Sequence, residues 1–169
     1  VKNLRTKTKF VKVDNYYFDL EDRPVWNFDG SSTMQAAGDK SECMLKPVRL
    51  YSFDKKRHIV LCEVFNTDGT PHKSNTRAKL RESEDDYNAG EYWWGFEQEF
   101  FFTKNNRPVG FPVMGLPRPQ GEYYCGVGNS NVSNNLKRYM DWHANLCHNI
   151  GIYITGINAE VAPGQWEYQ

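Results

Sequence analysis

Two glutamates two residues apart, Glu97 and Glu99, stand in an aromatic run. In an extended strand, side chains two residues apart share a face, so both carboxylates point one way while Phe96, Phe100 and Phe102 turn the other. A second pair, Glu160 and Glu167, straddles Pro163-Gly164. If the chain reverses there, the two lie symmetrically about the turn and face one another. Like charges held opposite cost free energy, and an unpaired carboxylate among Trp93, Trp94, Phe100 and Trp166 is expensive to bury. The four glutamates therefore read as a cage for a divalent cation. Hard carboxylate oxygens on an extended framework suit Mg²⁺ or Mn²⁺, the ions that accompany nucleotide phosphates, better than a soft metal. Each half taken singly has a plainer reading. Glu-x-Glu is what a solvated strand face produces, and Pro-Gly favours a turn whose twist does not match a tight hairpin.

The chain has 169 residues, 39% of them hydrophobic and 15% aromatic, enough to bury a core in one domain or two small ones. Lys plus Arg and Asp plus Glu number 21 each, so no global field attracts nucleic acid or an anionic membrane, although residues 2–12 form a local basic arm. No run is apolar enough for a membrane helix. Neither nucleic acid nor membrane is an expected partner. Cys43, Cys62, Cys125 and Cys147 are far apart and form no Cys-x-x-Cys, which argues against a zinc site and a disulfide framework. A reducing, cytoplasmic setting is expected. The start carries no signal-peptide pattern, and Val1 in place of methionine reads as an N-terminus already cut.

Along the chain, residues 9–13 and 16–20 read as short strands, and residues 25–28 lead into the turn cluster Asp29-Gly30-Ser31-Ser32-Thr33. Residues 58–65 are the clearest early strand, closed by Asn66-Thr67-Asp68-Gly69. Ser74 is the expected cap of a charged helix running through Asp86 and ended by Asn88-Ala89-Gly90. Residues 92–103 read as an aromatic strand, followed by the polar turn Lys104-Asn105-Asn106-Arg107. Residues 107–128 hold five glycines and four prolines without periodicity, a long loop of the ordered, functional kind given Phe111, Tyr123 and Tyr124. Leu136, Tyr139, Met140, His143, Leu146, Cys147 and Ile150 recur at helical spacing, with Ser133 or Asn131 as cap and Gly151 as stop. Residues 152–157 return as a strand that delivers Glu160. Strands and helices mix without βαβ alternation, so the fold class is α+β.

Three further motifs carry little weight. Gly126-Val127-Gly128 lacks a third glycine for a phosphate loop, and His143 and His148 have the wrong spacing for two ligands on one helical face. Trp93-Trp94 reads as core packing in preference to a sugar or base platform.

Four strings are more specific: Trp26-Asn27-Phe28-Asp29-Gly30-Ser31-Ser32-Thr33; Gly95-Phe96-Glu97-Gln98-Glu99-Phe100; Pro119-Gln120-Gly121 with Tyr123-Tyr124-Cys125-Gly126-Val127-Gly128; and Asn158-Ala159-Glu160-Val161 with Gln165-Trp166-Glu167. In order and spacing they resemble glutamine synthetase of type II, the form shared by eukaryotes and some bacteria. The resemblance spans the chain from about Pro24 to its end.

It implies a β-grasp domain over residues 1–80 and the start of an α+β catalytic domain over residues 81–169. It implies ATP-dependent phosphorylation of the glutamate side chain and displacement of phosphate from γ-glutamyl phosphate by ammonia. By similarity Glu99, Glu160 and Glu167 hold the metal near glutamate. Glu97 serves the second metal, which bridges the ATP phosphates, while Glu167, Tyr168 and Gln169 lie along the nucleotide. Asp29 matches the aspartate that binds ammonium and helps deprotonate it in the active site of a neighbouring subunit, so a ring-shaped homo-oligomer of this chain is expected. In isolation Asp-Gly-Ser-Ser is an ordinary turn with its aspartate as cap. The family's remaining metal ligands, its phosphate-binding arginines and its flap carboxylate fall beyond Gln169, so the stretch alone is expected to be inactive. Two alternatives stay open: a catalytically silent regulatory or assembly module, and a relative that joins glutamate to other amines.

Overall fold

The computed structural model describes residues 3–12, 23–84, 90–117, 123–126 and 135–169, together with the backbone but not the side chains of residues 130–134. The strand expected at 16–20, the helix end at Asp86, Pro119-Gln120-Gly121 and Val127-Gly128 lie outside the described residues. The chain divides into two compact units, Val1–Glu84 and Asp85–Gln169. Both helix and strand are present, as the α+β class requires.

In the first unit, β1 (Trp26–Asp29), β2 (Glu42–Ser52) and β3 (His58–Phe65) form an antiparallel sheet in the order β1-β2-β3. Strand β3 has the bounds its apolar run predicts. The eleven-residue β2 was not legible, because Pro47 interrupts its pattern; the ladder accommodates it with a register shift between Pro47 and Arg49. Residues 9–12 form no strand. Instead the basic arm lies on β1: Lys7 donates to the Asn27 carbonyl at 2.8 Å, and its ammonium sits 4.1 Å from the centre of the Trp26 ring.

Helix α1 (Thr76–Glu82) is capped by Asn75, not Ser74. The Asn75 side chain accepts from the Ala78 N–H at 3.1 Å and donates to the Val64 carbonyl at 3.1 Å, which joins the cap to β3. Ser74 is engaged elsewhere, with His72 and Gln35. The buried Glu63 of β3 pairs with Arg81 of α1. Among the described residues of this unit, Cys43, Phe65 and Ala78 are buried apolar side chains.

In the second unit, β4 (Gln98–Phe101), β7 (Ile157–Ala159) and β8 (Gln165–Tyr168) form an antiparallel sheet in the order β4-β8-β7. Between β4 and β7 lie the short hairpin of β5 (Thr103–Lys104) and β6 (Arg107–Pro108) and helix α2 (Ser130–Asn149). Asn105 and Asn106 turn that hairpin with φ of 52° and 59°, the left-handed pair that matches strand twist. The aromatic strand expected over 92–103 is mostly not one: residues 92–97 are irregular, and Trp93 and Trp94 are 98% and 67% exposed, so they are not core. Likewise residues 152–156 are irregular before β7.

Helix α2 begins at Ser130, which puts the expected caps Asn131 and Ser133 inside it. Its stripe is buried at Leu136, Met140 and Cys147 and half-buried at Leu146 and Ile150, whereas Tyr139 and His143, expected on the same face, are exposed. Leu136 and Met140 meet Ala159 and Trp166 of the sheet in one core, joined by Phe100, Phe102, Val109, Ile157 and Tyr168. The sheet is thus apolar on the face that α2 covers.

Candidate metal centre

Strand parity fixes the other face. Glu97 and Glu99 alternate with Gln98 and Phe100, and Gln165, Glu167 and Gln169 alternate with Trp166 and Tyr168. Because Trp166 and Phe100 enter the core, Glu99 and Glu167 are forced onto the opposite side, and Glu97, just before β4, joins them there. Register then decides which of them meet. Glu99 stands directly opposite Glu167 across β4 and β8, and Glu167 stands opposite Asn158 across β8 and β7. Carboxylate oxygens of Glu97, Glu99 and Glu167 lie within 4.8 Å of one another. Glu167 is buried and the other two are exposed. Three hard donors at this separation, two of them like charges facing each other on adjacent strands, fit a divalent cation that takes oxygen ligands.

Glu160 is outside this cluster. Its expected mirror pairing with Glu167 does not form, because the hairpin closes two residues off that symmetry, and the Glu160 N–H donates to the Gln165 carbonyl at 2.8 Å. The cause is the Pro-Gly turn. Gly164 has a φ of +73° and the Gln165 N–H bonds the Ala162 carbonyl at 3.1 Å, so a longer connection absorbs a turn that would splay a two-residue hairpin. A side chain at Gly164 would also come within 2.6 Å of the Val109 carbonyl oxygen, so the turn is locked against the β5-β6 hairpin. Glu160 keeps its carboxylate local, accepting from Asn158 Nδ2 at 3.2 Å and from the Val161 N–H at 3.1 Å. It still shares a neighbour with Glu167. The Tyr124 hydroxyl has its pKa pushed up by Cys125 first, then by the Glu160 charge, by burial and by Glu167.

Amides that the sequence reading did not single out as partners separate the acids. Gln165 Nε2 donates to Glu99 at 2.8 Å and Gln169 Nε2 donates to Glu167 at 2.7 Å. Their signal was available, since both sit two residues from Glu167 and so share its face. Tyr168 has the opposite parity. Its ring stacks on Phe100 at 5.6 Å and lies 5.1 Å from His143, and burial raises its pKa, with Cys147 adding to the effect.

In the first unit, Asp29 ends β1 and caps a 3-10 turn, Gly30–Thr33. One carboxylate oxygen accepts from Ser31 Oγ at 2.6 Å and from the Ser31 N–H at 2.9 Å. These bonds, the hydroxyl's first, hold its pKa below the ordinary aspartate value and keep it ionised on an exposed turn. Gly30 is buried, and a Cβ there would meet Cys43 Sγ at 2.6 Å, so the turn is pressed onto β2.

The order Asp29, Glu97-x-Glu99, Glu160, Glu167 can now be set beside known proteins. A glutamine synthetase of Rhizobium meliloti is 49% identical over 171 residues, covering 99% of this chain and 50% of its own length. One from Bradyrhizobium diazoefficiens is 50% identical over 170 residues, 99% of this chain and 47% of its own. The chain belongs to the glutamine synthetase family. A chloroplastic glutamine synthetase of Chlamydomonas reinhardtii, 47% identical over 98% of this chain, extends the likeness to a eukaryote. No family model matches the chain. The chain spans about half the length of these glutamine synthetases. Among the described residues no helix is long and apolar enough to cross a membrane.

Proposed function

We propose that the full-length protein is a glutamate–ammonia ligase, which makes glutamine from glutamate, ammonium and ATP through γ-glutamyl phosphate, and that this chain supplies part of its active site. The observation that carries the reading is the convergence of Glu97, Glu99 and Glu167 oxygens within 4.8 Å on one sheet face. In this reading Glu99 and Glu167 hold one Mg²⁺ or Mn²⁺, Glu97 serves a second, and Glu160 joins the first from the hairpin beside it. Bound cations would neutralise the charge on the nucleotide and on the transferring phosphoryl group. Glu167 and Gln169 face the nucleotide side of the sheet, while Tyr168 contributes backbone there and uses its ring to anchor β8 in the core.

Asp29 is the ammonium-binding carboxylate. Its lowered pKa keeps a negative charge available to attract NH₄⁺ and accept its proton. The first unit is the β-grasp domain of the family, it borders a neighbouring subunit in a ring-shaped homo-oligomer, and the enzyme works in the cytoplasm.

The test is phosphate release by the full-length enzyme with ATP, glutamate, ammonium and Mg²⁺. Wild type should turn over, whereas Glu99→Ala and Glu160→Ala should each lose at least about 100-fold in kcat/KM, the scale of removing one transition-state charge stabiliser. Activity that survives both substitutions would rule out the carboxylate site. A wild-type protein with no ligase activity would favour the silent assembly module, and turnover with amines in place of ammonium would move it to the amine-ligating relatives.

A further inference from the structure

We propose that His72 is a positioning residue for Asp29, acting through Gln35 and Thr33; the inference rests on the reading of Asp29 as the ammonium-binding carboxylate. Within its own turn the Asp29 carboxylate accepts from Ser31, with weaker contributions from Ser32 and from the Ser41 side chain. Such a cap orients the carboxylate relative to the turn, and the turn must in turn be held to the body of the unit.

One tie runs to the start of β2, where the Gly30 N–H donates to the Ser41 carbonyl at 2.6 Å, and His72 supplies a second from the segment between β3 and α1. It is 5% exposed. Its Nδ1 lies 3.1 Å from the Ser74 backbone nitrogen and 2.8 Å from Ser74 Oγ. A backbone N–H can only donate, so Nδ1 is the acceptor and the ring proton resides on Nε2. That nitrogen is 2.8 Å from the Gln35 carbonyl oxygen and donates to it. The Gln35 side chain closes a second strand of the tie: its Nε2 donates to Ser74 Oγ at 2.8 Å. Its Oε1 lies 2.6 Å from Thr33 Oγ1, which is also 3.0 Å from the Gly30 carbonyl. The hydrogen bonds therefore run from a buried imidazole to the residue adjoining Asp29. Thr33 and Gln35 are half-buried and Ser74 is exposed, so the restraint rests on the buried imidazole, whose ring nitrogens are unsatisfied if either partner is lost.

Asparagine and glutamine divide the two halves of the imidazole. His72→Asn keeps an acceptor for Ser74 but cannot reach the Gln35 carbonyl, whereas His72→Gln places an amide N–H where Nε2 stands. The experiment uses full-length enzyme carrying Asp29→Asn, His72→Asn or His72→Gln, with steady-state kinetics in each substrate. Asp29→Asn should raise the KM for ammonium. His72→Asn should raise the same constant about tenfold, the order expected for a modest misplacement of a binding group. Its kcat and its KM values for ATP and glutamate should stay within about twofold of wild type. His72→Gln should restore most of the ammonium KM. Amide exchange at residues 31–35 should quicken in His72→Asn alone, and ¹⁵N shifts should place the wild-type ring proton on Nε2.

An Asp29-sensitive enzyme with unchanged ammonium KM in His72→Asn overturns the positioning role and leaves the Asp29 reading intact. Equal losses in every kinetic constant with a lowered melting temperature overturn it in favour of simple folding support. An enzyme indifferent to Asp29→Asn loses the reading of Asp29, and the inference with it.

Discussion

Glu99 and Glu167 stand opposite each other on neighbouring strands, and Glu167 is buried there. Without a cation the pair is held by two glutamine amides against its own repulsion. Glu99→Gln removes one charge and retains an oxygen for Gln165, so in chelator it should stabilise the protein by roughly 0.2–1 kcal/mol. In Mn²⁺ the order should reverse, because wild type gains stability by mass action and the variant gains less. Melting curves with EDTA and with Mn²⁺ check this; equal Mn²⁺ gains in both proteins would refute the shared site. At Asp29 the folded pKa lies below the ordinary value, so its contribution to stability is present above that value and fades as pH falls through the folded pKa. Ser31→Ala removes the first cause and should move the Asp29 titration up toward the ordinary range, as read by carboxyl NMR. At this scale Glu97-x-Glu99 was legible because strand parity is local. The place of Glu160 was not, since it depends on a hairpin register that one turn can shift.

Elements were legible where periodicity was unbroken. Strand β3 formed with the bounds read and helix α2 formed where its pattern runs, though starting before the expected caps, while β2 escaped because Pro47 breaks the alternation and only a bulge in the partnered sheet reconciles it. Residues 92–97 failed in the other direction. Their aromatic content is strand-like, but no neighbour among the described residues offers a ladder, and composition alone does not supply one. Contacts between elements were least visible of all. Glu63 is buried on β3 and its charge is met by Arg81 from α1, with an Arg77 nitrogen at 4.0 Å and Asn75 Nδ2 at 3.4 Å. Arg81→Ala should therefore cost about 1–3 kcal/mol by leaving a buried carboxylate short of a partner. In a Glu63→Gln background the same change should cost less than about 1 kcal/mol, as for an exposed side chain. Urea denaturation of the four proteins closes the cycle, and equal costs in both backgrounds would mean that the pair does not hold α1 to the sheet.

For the whole molecule, composition foretold a chain able to bury a core but not which of its aromatic residues would be inside. Trp166 is buried, whereas Trp93, Tyr153, Leu116 and Met114 are 98%, 85%, 90% and 87% exposed. Exposed apolar groups on this scale favour association. Charge does little to oppose it, because the formal net charge is zero at pH 7 and the sequence pI is about 7.0. Like-charge repulsion between copies is then at its weakest near neutrality. This chain should accordingly self-associate most near pH 7 and less at pH 9, where net negative charge accumulates. Replacing Trp93 and Trp94 together by serine should reduce the association at pH 7, while Mn²⁺ affinity stays within about twofold, since neither residue donates to the glutamate cluster. Light scattering and sedimentation across that pH range read the first effect, and calorimetric Mn²⁺ titration the second. Association that is flat from pH 7 to 9 and unchanged by the double substitution would mean that neither net charge nor this aromatic pair governs how copies of the chain meet.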